Sequence, residues 1–294
     1  MKKFLIIPLM LSLPISVVCA FEEAKTKTTL EKMTEPKISL ETTFIGDSDI
    51  DGSGGFETTK HKVSVYNFYA GLSYTNNTFK WNNIGKLPFG DGVSKPIEQI
   101  HTIELEGKLP YHINDQWLLL TSLSLTSSFE QGMDDSYSYG LYSFASYKLD
   151  EDHTFQFGFF GNYHTATSMV LPIVSYSYRV THRDGFKFVF GFPRTYVGYH
   201  VNRDTLVSLG IVYSQSVVKL SRTSVVEKNG FVETVDYMAN IGVTYEFAKD
   251  FQIRADILYG LDREFLLYNS RGKSTEDYKV ESAIGANIKL TYAF

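Results

Sequence analysis

Cysteine is almost missing from this chain, which carries one such residue, Cys19, among 294. We expect Cys19 to be removed with an N-terminal segment, so the rest of the chain has no thiol. This excludes a disulfide framework, a cysteine nucleophile and a zinc–thiolate site. Proline is scarce, with 8 residues, and no run of 18 apolar residues follows residue 20. No transmembrane helix is therefore predicted.

An excess of positive charge is also missing. The formal net charge is −5, and without a basic tract no nucleic-acid partner is predicted. The histidines are scattered without ligand spacing, so no metal site and no cofactor are predicted. The stretch "GDSDIDGSGG" spaces three aspartates like the start of a calcium loop. However, Thr58 occupies its twelfth position, where such a loop has glutamate, so a solvated loop is the better interpretation.

The first twenty residues, "MKKFLIIPLMLSLPISVVCA", have the three parts of a secretory signal peptide: Lys2 and Lys3, an apolar run, and small residues ending at Ala20. A membrane-spanning helix is disfavoured because the run is short and holds two prolines. A lipoprotein signal is disfavoured because Val18 precedes the cysteine. We therefore predict a signal peptide over 1–20 and export. Residues 21–36 are polar without alternation and predict a flexible tail.

From residue 37 to the end, large apolar and polar residues alternate with a period of two. Segments 101–111, 153–163, 235–247, 251–260 and 283–294 show this most clearly. The chain has 22 Phe and 20 Tyr, yet its mean hydropathy is only −0.13. Many aromatics with average hydropathy favour β-strands of which only one face is apolar.

The connections alternate between short polar turns and longer loops. The short turns follow an aromatic residue, as in "YHIND", "YKLDED" and "YEFAKD" and, more loosely, in "SYTNNT" at 73–78. The longer loops are expected at 46–60, 85–96, 130–136, 221–234 and 270–279. This predicts about fourteen strands, with twelve as the alternative count. The weakest predicted strands are 78–84, 185–192 and 195–201, which are shorter than the usual 9–11 residues of a spanning strand.

These features predict that residues 37–294 form one all-β domain, a closed antiparallel transmembrane β-barrel. The alternative is a soluble sandwich, which alternation alone does not exclude. Export, the alternating loop lengths and the missing cysteine favour the membrane. So do aromatics at the strand ends, which could form an interfacial girdle: Tyr111, Tyr147, Tyr178, Tyr199, Tyr245 and Tyr292.

The C-terminal "LTYAF", with Tyr292 and the terminal Phe294, resembles the end signature of Gram-negative outer-membrane proteins. The stretch 171–213 also resembles a family of outer-membrane barrels of unknown function. The first resemblance implies location in the outer membrane, with its lipids as surroundings. It also implies that the barrel-assembly machinery recognises Tyr292 and Phe294 as an assembly signal. Neither resemblance implies a cargo.

The predicted lumen contains charged residues placed within strands, opposite the apolar face. Five are acidic and five basic, which argues against strong ion selectivity and also permits a lumen filled by salt bridges. No plug domain is evident unless loop 46–60 or the tail folds inward. The predicted lumen-lining residues are Glu104, Glu106, Lys108, Arg179, Lys187, Glu246, Arg254, Asp256, Glu281 and Lys289.

These expectations favour a passive, porin-like channel for small solutes rather than an enzyme. The first alternative is a closed barrel with a structural or surface-interaction role. The second is a lipid hydrolase built on His164 with Thr167 and Ser168 in "NYHTATS". A nucleophile needs a base within hydrogen-bond reach and a group that orients the base. The spacing alone does not provide that, so no catalytic residue is predicted.

Overall fold

A computed structural model describes residues 34–192, 194–248 and 250–294. The predicted signal peptide and most of the predicted tail lie outside the described residues. Fifteen strands make up the fold: β1 Lys37–Ile50, β2 Gly54–Tyr66, β3 Ala70–Asn82, β4 Gln99–His112, β5 Trp117–Phe129, β6 Tyr137–Lys148, β7 His153–His164, β8 Ser168–Tyr178, β9 Gly185–Phe192, β10 Thr195–Asn202, β11 Thr205–Lys219, β12 Phe231–Ala248, β13 Phe251–Tyr268, β14 Ser274–Val280 and β15 Ile284–Ala293. Across these ranges no helix has the length and apolar character needed to cross a membrane.

From β1 to β14 each strand pairs antiparallel with the next, and β15 pairs with β13 and with β1, which closes the sheet. β1 pairs with β15 from Lys37 opposite Ala293 to Ile45 opposite Gly285. β14 and β15 both pair with β13 and with β1, so they are two parts of one wall strand. The wall therefore has fourteen strands, and the prediction of a closed fourteen-stranded antiparallel barrel is confirmed.

Two predicted long loops are wrong. The segment 46–60 is mostly strand, because β1 and β2 are joined by a turn of three residues, 51–53. Asp51 and Gly52 adopt positive φ angles of 49° and 69°, as a tight hairpin requires of an Asp–Gly pair. Because the residues on both sides of this turn are polar, the sequence resembled a long loop. Likewise, most of the predicted loop 270–279 is β14, after a turn over 269–273.

The predicted turn at 73–78 and the separate strand at 78–84 are also wrong, since both belong to β3. The chain reverses earlier, at 67–69. There the side-chain oxygen of Asn67 accepts hydrogen bonds from the backbone N–H groups of Tyr69 and Ala70, both at 2.9 Å. Two adjacent asparagines, Asn76 and Asn77, resembled turn residues. In β3 they face opposite sides: Asn77 lies on the polar inner face with Ser73, and Asn76 lies on the outer face with Tyr74.

The outer face of the barrel carries a continuous apolar belt. Leu40, Leu72, Leu109, Ile253 and Ile288 point away from the barrel and are exposed. The six tyrosines predicted for a girdle all lie within three residues of the periplasmic end of a strand. Apolar side chains between rings of aromatics match the hydrocarbon core and its interfaces. This side of the strands faces lipid.

The barrel is pinched at its extracellular end. β11 pairs with β10 only as far as Ile211 opposite Thr195. It then meets β5 across the barrel, with Lys219 opposite Phe129, and the backbone N–H of Glu130 donates to the carbonyl of Lys219 at 3.0 Å. This pairing closes a smaller structure, the upper ring, from the ends of β11–β14 and β1–β5. The turn 165–167 between β7 and β8 packs Ala166 against Val217, Phe231 and Tyr268 on the outside of this ring, whereas β9 and β10 end below it.

Candidate functional site

The inner face of the wall carries a row of charges in its periplasmic half. Arg254 lies opposite Lys289, Lys289 opposite Glu41, and Glu41 opposite Lys62, on four neighbouring strands. The amine of Lys289 is 3.8 Å from the Glu41 carboxylate, and that of Lys62 is 3.4 Å from Glu104 on β4. These side chains stay between 27% and 34% exposed. The row therefore borders water inside the barrel.

Two further ion pairs extend this charged surface. On β4, the amine of Lys108 is 2.9 Å from Glu106, whose other oxygen accepts a bond from the Ser122 hydroxyl at 2.8 Å. On β13, the Arg254 guanidinium donates two bonds to Asp256, at 2.8 and 2.6 Å. The Asn240 amide donates to the same carboxylate at 3.1 Å. Bidentate pairing with extra donors is the arrangement that makes a largely buried carboxylate tolerable.

Of the ten residues predicted to line the lumen, two others lie on strands. Glu246 on β12 accepts from Arg183 in a periplasmic turn at 2.8 Å. Lys187 on β9 is buried and donates to the carbonyl of Val180 at 3.2 Å. The structure therefore places eight of the ten on strands, and it joins Glu104, Glu106, Lys108, Arg254, Asp256 and Lys289 into one charged arc over β13, β15 and β1–β5.

Arg179 and Glu281 are not within strands, so their predicted placement is corrected. Arg179 follows the last residue of β8, has a positive φ of 47° and pairs with Asp152 and Asp184 at the periplasmic rim. Glu281 lies in the interruption between β14 and β15 and is exposed. In both cases the predicted strand included residues that do not pair with a neighbouring strand.

Several inward-facing charged residues were missed by the sequence reasoning. Glu41 and Lys62 were recoverable, since each lies next to an exposed apolar residue, Leu40 and Val63. Others sit where turns were misplaced or a bulge shifts the pattern. Arg263 and Asp236 form a pair at 2.8 Å next to a register shift between β12 and β13. The missed residues include Glu41, Lys60, Lys62, Asp236 and Arg263.

The extracellular end of the lumen is closed by aromatic side chains. Loop 83–98, between β3 and β4, places Phe89 and Ile97 among inward-facing residues of the upper ring. The ring of Phe89 stacks on Phe265 of β13 with centroids 5.4 Å apart. The indole N–H of Trp81 donates to the Ile97 carbonyl at 2.5 Å. We name loop 83–98 the lid. It closes the upper ring, a role that the sequence reasoning considered only for loop 46–60 and the tail.

The interior behind β5–β8 is filled with apolar residues. Leu118, Phe144 and Ile173 point inward from β5, β6 and β8 and are almost entirely buried. They pack with the buried Tyr213, which lies on the same face of β11 as the exposed Ile211. Phe68, from the β2–β3 turn, joins the same cluster. Water-accessible interior therefore remains mainly along the charged arc.

His164 does not form a catalytic pair. Its ring is buried, and its Nδ1 accepts a bond from the backbone N–H of Ala166 at 3.0 Å. The Ser168 hydroxyl donates to the His164 backbone carbonyl at 3.3 Å and not to the ring. Within the described ranges, the Nε2 of His164 has no hydrogen-bond partner. The described part of the chain also holds no group of three His, Cys, Asp or Glu residues arranged for a metal ion.

A closed antiparallel barrel with an apolar outer belt and a charged interior defines an outer-membrane β-barrel protein. No protein-family model and no curated protein matches the chain, so the resemblance of 171–213 to a family of unknown function is not supported. Solved structures of similar architecture include the NanC porin, at 12% identity and a TM-score of 0.41, covering 87% of this chain and 100% of the porin.

Two others show the same level of similarity. An outer-membrane channel from Pseudomonas putida F1 has 11% identity and a TM-score of 0.42, and covers 88% of this chain and 96% of the channel. The KdgM porin in complex with disordered oligogalacturonate has 10% identity and a TM-score of 0.36, and covers 87% and 99%. None of these proteins assigns a solute to this chain.

Proposed function

We propose that the protein is a passive channel for small water-soluble solutes and that the lid holds it closed in this conformation. The observation that carries the proposal is the partial exposure of the charged arc inside the barrel. A charge that is removed from water must be fully paired, so charged side chains that stay partly exposed inside the barrel indicate contact with water. Here Lys62, Glu104, Lys289 and Glu41 keep between 27% and 34% of their surface open to water.

A loop, and not a strand of the wall, closes the extracellular end of the barrel. This supports a gate that can open rather than a permanent seal. The lid contributes Phe89 and Ile97, and only its last residue, Glu98, extends the ladder among the described residues, with its carbonyl accepting from the Phe79 backbone N–H at 3.0 Å. Gly90 and Gly92 in it adopt positive φ angles of 87° and 72°, which suits a loop that can change its path. A turn at Asp91 keeps the loop compact. Backbone N–H bonds from Ser94 and Val93 hold the pKa of that carboxyl below its usual range. Outward movement of the lid would expose the upper ring.

Planar-bilayer conductance tests this proposal with a matched pair of variants. Phe89→Ser removes the ring that stacks on Phe265, whereas Val93→Ser changes an exposed side chain of the same loop. We expect rare or small current steps from the wild type and from Val93→Ser. Phe89→Ser should give steps at least several-fold larger or more frequent. Equal silence from all three proteins would contradict the channel proposal.

A closed barrel with a structural or surface-interaction role is the second candidate. It is favoured by the apolar cluster behind β5–β8, in which Leu118 and Leu120 are wholly buried. If both Phe89→Ser and a variant lacking residues 87–93 fold and remain non-conducting, this candidate is the better one. Folding is checked by heat-modifiable migration on a gel, which is typical of intact membrane barrels.

We also propose the remaining roles expected from the sequence. Residues 1–20 direct export, and Tyr292 with Phe294 forms the signal that the barrel-assembly machinery reads. The support for the signal is its accessibility, since Phe294 is exposed and its backbone N–H donates to Pro36 at 3.0 Å. The charged residues of the arc would set the solute preference, and their near balance favours weak ion selectivity.

A further inference from the structure

A row of polar side chains crosses the lipid-facing side of the wall over β1–β4. Thr42 lies opposite His61, and His61 lies opposite Asn76. Asn76 in turn lies opposite His101. Residues that lie directly opposite one another share a face of the sheet. That face is the outer one, because Leu40, two residues before Thr42, points away from the barrel and is exposed. We name Thr42, His61, Asn76 and His101 the polar row.

The polar row begins inside the apolar belt. Exposed apolar residues surround Thr42, with Phe44 two residues above it and Ile288 opposite it on β15. Ile38, which lies opposite Tyr292 of the predicted girdle, is four residues below Thr42. At a rise of about 3.3 Å per residue and a tilt of about 40°, Thr42 stands roughly 10 Å above the girdle, in an apolar band of about 25 Å. Acyl chains surround it there.

From Thr42 the polar row rises toward the extracellular side. Lys37 and Glu106 belong to one row of the ladder. Lys37 is the first residue of β1, whereas Glu106 lies six residues above the periplasmic end of β4. A row followed from β1 to β4 therefore climbs the wall, by about 3 Å per strand at this tilt. His101 thus stands roughly 20 Å above the girdle, still within the band.

The polar row has more hydrogen-bonding groups than the wall itself uses. Thr42 Oγ1 lies 3.0 Å from His61 Nδ1, and the Tyr74 hydroxyl lies 2.7 Å from His101 Nδ1. These bonds use one nitrogen of each imidazole. Within the described ranges, no side-chain hydrogen bond engages the Asn76 amide, which has two donors and an acceptor. Such groups are costly to leave without a partner in hydrocarbon.

Other strands present a different surface to the lipid. The outward-facing residues Leu209, Ile241 and Ile257 on β11, β12 and β13 are apolar and exposed. Thr121 and Ser143, opposite each other on β5 and β6, bond each other at 3.0 Å and place no imidazole or amide in lipid. The polar row is therefore local to β1–β4. Polar groups at membrane depth that bond across a contact are typical of surfaces where two proteins meet.

We propose that the polar row is the contact surface for a second copy of this chain, related by a two-fold axis along the membrane normal. A partner must offer donors and acceptors at the depth of the row, where acyl chains offer none. A second copy does so by symmetry, because both copies insert in the same direction and to the same depth. An amide and an imidazole each donate and accept, so the row is complementary to itself. The proposal does not depend on channel activity.

The slope of the polar row defines which residues meet. Two sloping rows related by this axis cross where the axis passes, so His61 and Asn76 of one copy meet the same two residues of the other. Below the crossing, Val63 and Leu72 of each copy, which are 42% and 54% exposed, come together and exclude lipid. Because barrels are convex, two of them touch along only a few strands, which matches a row that spans four.

Photo-crosslinking in cells that produce two differently tagged copies tests the proposal. Benzoylphenylalanine in place of Val63 lies beside the proposed axis, whereas in place of Leu209 on β11 it faces lipid on the far side of the barrel. We expect an adduct that contains both tags and has twice the mass of the chain. It should be at least five-fold more abundant from position 63 than from position 209. Equal yields, or adducts only with lipid or with other proteins, would overturn the proposal.

A double variant tests whether the polar row itself makes the contact. His61→Leu with Asn76→Leu removes the hydrogen-bonding groups and leaves an apolar outer face. The adduct from position 63 should fall at least five-fold in a barrel that still migrates heat-modifiably. Thr121→Val, which removes the hydroxyl bonded to Ser143, is the matched control and should leave the yield unchanged. If the double variant does not fold, Asn76→Leu alone serves the same purpose. An undiminished adduct would contradict a contact through the row.

Discussion

The rings of Phe89 and Phe265 lie parallel, 7° apart in orientation and 5.4 Å between centroids. One belongs to the lid and the other to the wall strand β13. This contact joins a loop to the upper ring, and two side chains of the wall also donate hydrogen bonds to the lid's backbone, Trp81 to the Ile97 carbonyl and Tyr278 to the Pro88 carbonyl. Contacts made by a few side chains therefore set the closed position of the lid, and single substitutions should shift it.

Trp81→Phe should loosen the lid while preserving its apolar packing. The substitution removes the hydrogen bond from the indole N–H to the Ile97 carbonyl and leaves a buried acceptor unpaired, at a cost of about 1–3 kcal/mol. We expect faster tryptic cleavage after Lys86 and Lys95, which flank the lid's centre. Trp117→Phe, which changes a residue at the periplasmic end of β5, is the control, and trypsin should cleave it at the wild-type rate. Unchanged cleavage in Trp81→Phe would show that this bond does not hold the lid.

Asp256→Asn should destabilise the barrel. Asp256 is largely buried and accepts two bonds from Arg254 and one from Asn240. Its loss leaves a guanidinium without its counter-charge, which costs about 2 kcal/mol after allowance for the partial exposure of Arg254. Urea-induced unfolding in detergent micelles measures the effect. Glu57→Gln is the control, because its partner Lys80 is 80% exposed and the change should stay below about 1 kcal/mol.

Gly158→Ala should impair folding, whereas Gly107→Ala should not. A Cβ on Gly158 would lie 2.1 Å from the Ser143 carbonyl oxygen and 2.5 Å from Cα of Phe144, both backbone atoms of the neighbouring strand. A Cβ on Gly107 meets nothing within 4 Å. We expect a marked loss of refolded barrel on heat-modifiable gels for the first variant only. Equal yields would mean that β6 and β7 can separate locally without penalty.

Phe294→Ala should reduce assembly in the outer membrane without reducing refolding in detergent. The ring is exposed and contributes little packing apart from its neighbour Tyr292. Because other proteins recognise this signal, its loss should reduce assembly in cells and leave refolding of the purified protein unchanged. Phe247→Ala, an exposed aromatic at the periplasmic end of β12, is the matched control. A parallel loss in both settings would assign Phe294 a structural role instead.

The alternation of residues predicted the barrel well because the lipid-facing side must be apolar on every strand. The alternating segment 251–260 forms the first part of β13, since apolar positions such as Ile253 and Ile257 alternate with Arg254 and Asp256. Turn positions were harder. Asp51 and Gly52 form the tight turn between β1 and β2, yet the polar residues on both sides resembled a long loop. Asn76 and Asn77 resembled a turn but lie within β3.

The closure of the lumen was not predictable from alternation. Phe89 and Ile97 lie in a loop, where no periodicity indicates which side chains turn inward. The pairing of Lys219 with Phe129 joins strands that are far apart along the chain and is set by the pinched shape of the whole barrel. Charged residues were recovered where the strand was placed correctly, as with Arg254, and missed where it was not, as with Arg263.

The most direct test of a gated, water-filled lumen is thiol labelling of Lys62→Cys in a chain whose single natural cysteine, Cys19, is changed to serine. Lys62 lies below the lid and borders water. A membrane-impermeant maleimide should label it from the periplasmic side only, and from both sides once Phe89→Ser is added. Labelling from the extracellular side with the lid intact, or no labelling from either side, would contradict the account.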